Sequence, residues 1–151
     1  MAVGYLDVVA GRLLNSLMAG LVASTTGRPP PSVSYVSHGA PACDHCCDDG
    51  QAAVWLERVE HRPVTSRGGS SAALCVSDPW GHFVLEWARC VPSMTDTGWP
   101  TPGDLDLSAA DLLEDLWAVL TQLYDETQSG ALGECCRGLE MGDAVPLEPQ
   151  G

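Results

Sequence analysis

Two runs of apolar residues spaced three and four apart, one toward each end of the chain, constrain the fold more than any other feature. In the first, Leu6, Val9, Leu13, Leu17 and Leu21 recur at helical intervals, and Ala10, Leu14 and Met18 widen the stripe. A stripe of that width is what a helix needs to face a core. The spacing predicts a helix over about 5–23, ending near "STTGRPPPS", where Gly27 can take a left-handed cap and Pro29, Pro30 and Pro31 forbid continuation. In the second run, Leu112, Leu113, Leu116, Val119, Leu120, Leu123 and Tyr124 predict a helix over about 108–128, closed near Gly130. Ser108 with Asp111 three residues on resembles a capping box at its start, Asp standing where Glu or Gln is usual.

The segments between these runs read as strands. "VSYVS" at 33–37 is a short one, and "QAAVWLERVEHRPV" at 51–64 sets Val54 and Leu56 on one face and Trp55, Glu57 and Val59 on the other. "HFVLEWARCV" at 82–91 alternates Phe83, Leu85, Trp87 and Arg89 against Val84, Glu86, Ala88 and Cys90, the clearest strand pattern in the chain. "SDPWG" just before it has turn chemistry, which makes 74–76 a separate short strand in a hairpin. The three prolines and two glycines of "PSMTDTGWPTPGDLDL" mark 92–107 as a long acidic loop carrying Trp99. A weak final strand is expected around 139–145. Strands that follow one another without intervening helices imply an α+β fold, with a mostly antiparallel sheet of about four strands and two amphipathic helices packed on one face. The 151 residues suit a single domain, 1–151, which buries roughly 68–70% of the surface its unfolded chain would expose.

Charge narrows the function. Twenty acids against seven bases give −13, and every base is Arg: Arg12, Arg28, Arg58, Arg62, Arg67, Arg89 and Arg137. Ordinary nucleic-acid binding needs clustered bases to neutralise phosphates, and these are scattered over an acidic chain. The absence of Lys, with abundant Ala, Gly, Pro and Asp, fits a GC-rich genome. Residues 1–4 lack a basic leader, and Asp7, Arg12 and Asn15 interrupt the apolar run after them. Neither a signal peptide nor a membrane span is therefore expected. The chain is expected to be soluble and made in a cytoplasm, with its seven cysteines mostly reduced.

No constellation of residues reads as a catalytic, cofactor or metal site. Cys43-x-x-Cys46 with Cys47 beside it, near His38 and His45, offers half of a zinc site. Its second half would have to come from the adjacent Cys135 and Cys136, whose side chains diverge, so a loop that carries cysteines outweighs zinc. A redox Cys-x-x-Cys should open a helix after a strand, and this one lies in an Asp-rich loop flanking Gly50. Cys75 and Cys90 read as small packing residues of a sheet. Asp48 with Asp49, and Glu114 with Asp115, are neighbours in sequence that diverge in space and read as solvated faces. Ser77, Asp78 and His82 lie close together, but no Gly-x-Ser-x-Gly elbow accompanies them. No phosphate loop, dinucleotide fingerprint or EF-hand occurs. Five tryptophans, Trp55, Trp80, Trp87, Trp99 and Trp117, exceed what a core this size needs. Trp80 and Trp99 fall in Pro/Gly loops, where an indole marks an interface or folds back over the sheet.

Taken in order, "YLDVVAGRLLNSL", "CCDDGQAAVWLERVE", "FVLEWARCVP", the second helix and the closing "PLEPQG" resemble the small neck proteins of long-tailed bacteriophages infecting GC-rich actinobacteria. Those are the head-to-tail connector or tail terminator proteins. The resemblance spans most of the chain, and none of its motifs is catalytic. It implies a structural virion protein, a ring of six copies at the head-to-tail neck, that caps the finished tail tube and ends its polymerisation. The other face of the ring would meet the head connector or stopper protein. Six copies at −13 carry a formal −78, and acidic walls would let DNA slide through the lumen without specific binding. Asp96, Asp104 and Asp106 are candidates for the lumen or the rim. Members of that group continue beyond the "PQG" region into a final strand, whereas this chain stops at Gly151, which leaves that strand and its edge pairing open. On this reading the cysteine cluster connects strands, and Cys43, Cys46, Cys47, Cys75 or Cys90 could form a disulfide in a particle exposed outside the cell. A head completion or stopper protein is the nearest alternative, though two long helices favour a terminator. A zinc-binding interaction module is the alternative from another class.

Overall fold

The first apolar stripe forms helix α1, Val3–Ala23. Three strands follow, β1 (Val33–Ser37), β2 (Gln51–Pro63) and β3 (Ser77–Ala88), and then helix α2, Pro102–Ser129. The computed structural model describes residues 3–42, 49–63, 77–92, 94, 98–132 and 140–145. The fold is α+β, as expected. The sheet is mixed and has three strands among the described residues, one fewer than the expected four. In the order β1-β2-β3, β1 runs parallel to β2 and β2 antiparallel to β3. A parallel pair of this kind cannot be closed by a two-residue hairpin.

Four local expectations are corrected. "SDPWG" is not a turn: its residues belong to β3 and pair with the far half of β2, Val59 with Gly81 and Glu60 with Trp80. Pro79 is accommodated there because β3 is an edge strand. The strand expected at 74–76 lies outside the described residues. Residues 140–145 are irregular, so the expected final strand is not formed there. The alternation of β2 does not run unbroken to Val59, because a bulge falls between Leu56 and Arg58. Arg58 then pairs with His82, on the face shared by Trp55 and Val84, and Val59 crosses to the face of Leu56 and Phe83. One inserted residue thus turns a charged group away from the helix-covered face.

The fourth correction is the start of α2. Its cap is Thr101, seven residues before the expected Ser108. The Thr101 hydroxyl accepts from the Asp104 backbone N–H at 3.2 Å, and the Asp104 carboxylate accepts from the Thr101 backbone N–H at 3.0 Å. Pro102 occupies the first turn, where its missing N–H costs nothing and its fixed φ suits a helix. A residue that reads as a breaker therefore opens the helix, and the loop ends at Thr101. At the other end Gly130 adopts a left-handed φ of 73° and donates to Thr127, while Ala131 donates to the Glu126 carbonyl.

Helix α1 lies on the sheet and touches all three strands, while α2 packs along α1. Val9, Ala10, Leu13, Leu17 and Leu21 of α1 meet Ala52 and Val54 of β2, Val119 and Leu123 of α2, and Leu132. Phe83, Leu85 and Trp87 of β3 line the same core. The two helices pack tightly at Gly20, where an added Cβ would stand 2.7 Å from the Val119 Cα. By length and composition Leu6–Ala23 is long and apolar enough to cross a membrane, with mean hydropathy 1.4. The contacts of Leu13, Leu17 and Leu21 with the sheet and α2 account for that apolarity within the fold.

Candidate functional site

Most residues singled out from the cysteine-rich segments, Cys43, His45, Cys46, Cys47, Asp48, Cys75, Cys135 and Cys136, lie outside the described residues. Among the described residues no group of three or more His, Cys, Asp or Glu could hold a metal ion. His38 and Asp49 are exposed. Cys90 is exposed beyond the end of β3, which corrects its reading as a packing residue: the strand stops at Ala88, two residues short of it. Ser77, Asp78 and His82 are strung along β3 instead of converging. The His82 Nε2 stands 3.1 Å from the Glu60 Oε1 across the ribbon. Trp80 is half-buried within β3 and not in a loop, whereas Trp99 is exposed as an interface residue would be.

The polar chemistry that the structure does assemble is structural and sits between α2 and the rest of the fold. Asp115 is fully buried, and its Oδ2 accepts from the Arg89 Nε at 2.5 Å. This overturns the reading of Glu114 with Asp115 as a solvated pair. The Arg89 Nη1 also donates to the Pro29 carbonyl at 2.6 Å, so one guanidinium ties the end of β3, the proline segment and α2 together. Around it the Arg28 Nε meets the Asp111 Oδ2 at 2.7 Å, and the Thr25 hydroxyl donates to Glu114 at 2.7 Å. Near the C-terminal end of α2, the Ser16 hydroxyl donates to Glu126, and the Arg12 Nη1 to the Ala131 carbonyl at 3.2 Å. Asp115 carries a signal in the sequence that could have revealed it: it precedes Val119 by four residues and Leu123 by eight, on the line of α2 that meets α1.

The opposite side of α2 is the candidate site. Leu113, Trp117, Leu120 and Tyr124 follow one another at i, i+4, i+7 and i+11, a continuous stripe on one helix face. Leu113 is 60% exposed, Trp117 69% and Tyr124 54%. Leu105 and Leu112 carry the apolar surface toward the N-terminal end. The sequence pattern assigned Leu112, Leu113 and Tyr124 to the core along with Val119 and Leu123, but only the last two are buried. The contact with α1 is narrower than the stripe, and the remainder faces outward. Asp106 stands in line with this outer stripe at its N-terminal end, and the exposed Asp125 lies beside its C-terminal end. The whole of α2 contains no Lys, Arg or His. Such a surface suits macromolecular contact.

Comparison of the chain with protein-family models, with curated proteins and with solved structures finds no match.

Proposed function

We propose that this chain is a structural neck protein of a long-tailed bacteriophage, a tail terminator that works as a ring, caps the tail tube, ends its polymerisation and joins it to the head connector. The observation that carries this reading is the outward apolar stripe of α2, Leu113, Trp117 and Tyr124, on a helix otherwise held rigidly to the fold by Asp111, Asp115 and Glu126. A surface of that kind is built for assembly, and the order of a helix, strands and a second helix accords with the resemblance of the chain to phage neck proteins. The partners in this role are further copies of the chain in a six-fold ring, the tail tube protein and the head-to-tail stopper or connector. DNA passes through an acidic lumen that gives it nothing to grip.

The test is electron microscopy of particles made when this protein is withheld from an otherwise productive infection. Overlong, headless tails are the expected result. Normal tails unable to join DNA-filled heads would assign the chain to the stopper position, and wholly normal virions would discard the neck role.

A further inference from the structure

We infer that the outer face of α2 docks a basic amphipathic segment of a different protein, one presenting apolar anchors flanked by Lys or Arg, and not a second copy of this chain. The inference rests on reading that face as an assembly surface, and it names the chemistry of the occupant. The apolar part of the recognition comes from Leu113, Trp117 and Tyr124, with Leu120 partly covered beneath them. The electrostatic part comes from the exposed Asp106, in line with the stripe, and Asp125 beside it, with no basic residue anywhere in α2 to offset them.

A two-fold pairing of this face with itself would add acids to acids with no base between them, and like charges juxtaposed in an interface oppose association. A copy bringing a different surface fares little better. The chain carries seven Arg against 20 acids, and four of those Arg are already engaged: Arg28 and Arg89 with α2 carboxylates, Arg58 with Glu57 and Arg12 with the Ala131 carbonyl. A chain so poor in bases is a weak source of the charge that complements this stripe, and a basic partner is the better one. A segment with Leu- or Ile-type anchors on one face and Lys or Arg at its edges fills the apolar row and neutralises its rim. That is the helix-in-groove mode of recognition, with charge fixing the register.

The probe is a synthetic helical peptide with Leu at i, i+3, i+4 and i+7 and Lys at the flanking positions, beside a counterpart with Glu replacing every Lys. Binding to the full chain is read by anisotropy of the labelled peptide. The Lys peptide is expected to bind, to weaken as salt rises, and to lose about tenfold or more in affinity with Leu113→Ser or Trp117→Ala. Asp106→Asn with Asp125→Asn should weaken it too, and the Glu peptide should not bind. Both side chains at 113 and 117 are exposed, so circular dichroism should show these variants folded. Equal binding of the two peptides, binding of neither, or indifference to the α2 variants overturns the inference. So does self-association of the chain that Leu113→Ser abolishes, which would make a second copy the occupant. A failed peptide experiment alongside defective particles from Leu113→Ser phage would remove the basic partner and leave the neck role standing. Normal virions formed without the protein would remove the neck role whatever the peptide does.

Discussion

Asp115 shows how much can depend on one side chain. Its carboxylate is wholly buried, and the Arg89 guanidinium that answers it is nearly so. Removing the acid alone strands a buried cation, so Asp115→Ala should destabilise the fold by about 3–5 kcal/mol in urea denaturation. Replacing both, as Arg89→Met with Asp115→Leu, should recover most of that loss, because the Arg89 Nη2 and the Asp115 Oδ1 find no hydrogen-bond partner among the described residues. Glu86 is a milder case. Burial raises its carboxyl above the usual range, so the folded state disfavours its charged form. The stability it withholds is lost as pH rises through the unfolded and then the folded value. Glu86→Gln should therefore be the more stable protein at pH 7, with the difference fading in acid as the carboxyl protonates in both states.

Among the elements, the two helices invite contrasting tests. Gly11 and Gly20 both lie inside α1, but a Cβ at Gly11 meets nothing within 4 Å while one at Gly20 would strike the Val119 backbone. Gly11→Ala should stabilise by about 0.5–1 kcal/mol through helix propensity. Gly20→Ala should instead cost about 1–3 kcal/mol by forcing α1 and α2 apart, and thermal melts of the two variants should move in opposite directions. At the start of α2, Thr101→Ala should cost about 0.5–2 kcal/mol, whereas Ser108, seven residues into the helix, caps nothing. Hydrogen bonds from the Thr101 hydroxyl and then its backbone N–H hold the Asp104 carboxyl below the usual range. With its folded value depressed, that contribution is complete above the ordinary carboxylate range and lost as pH falls through the folded value. The stability gap between the native protein and Thr101→Ala should accordingly narrow in acid. This cap is legible in "TPGD": proline and glycine are loop residues in general, but proline at N1 opens helices.

For the molecule as a whole, the decisive division is between the side of α2 that faces α1 and the side that faces out. The first is closed by Leu13, Leu17, Leu21, Val119 and Leu123 and by the ion pairs around it, and it fixes the helix as a rigid platform. The second is the surface on which the proposed assembly role depends. The sequence alone determined the two helices, three of the strands and the α+β class, because periods of 3.6 and 2 are local properties written residue by residue. It also determined the acidic, Lys-free character of the chain. Only the tertiary structure decided the rest. The width of the α1–α2 contact left Leu113 and Trp117 outside the core, the antiparallel register carried "SDPWG" into β3, and the bulge exchanged the faces of Arg58 and Val59. Periodicity states which residues share a face, but burial follows from how closely two elements approach. At Gly20 that approach needs the absence of a side chain, since a Cβ there would stand 2.7 Å from the Val119 Cα.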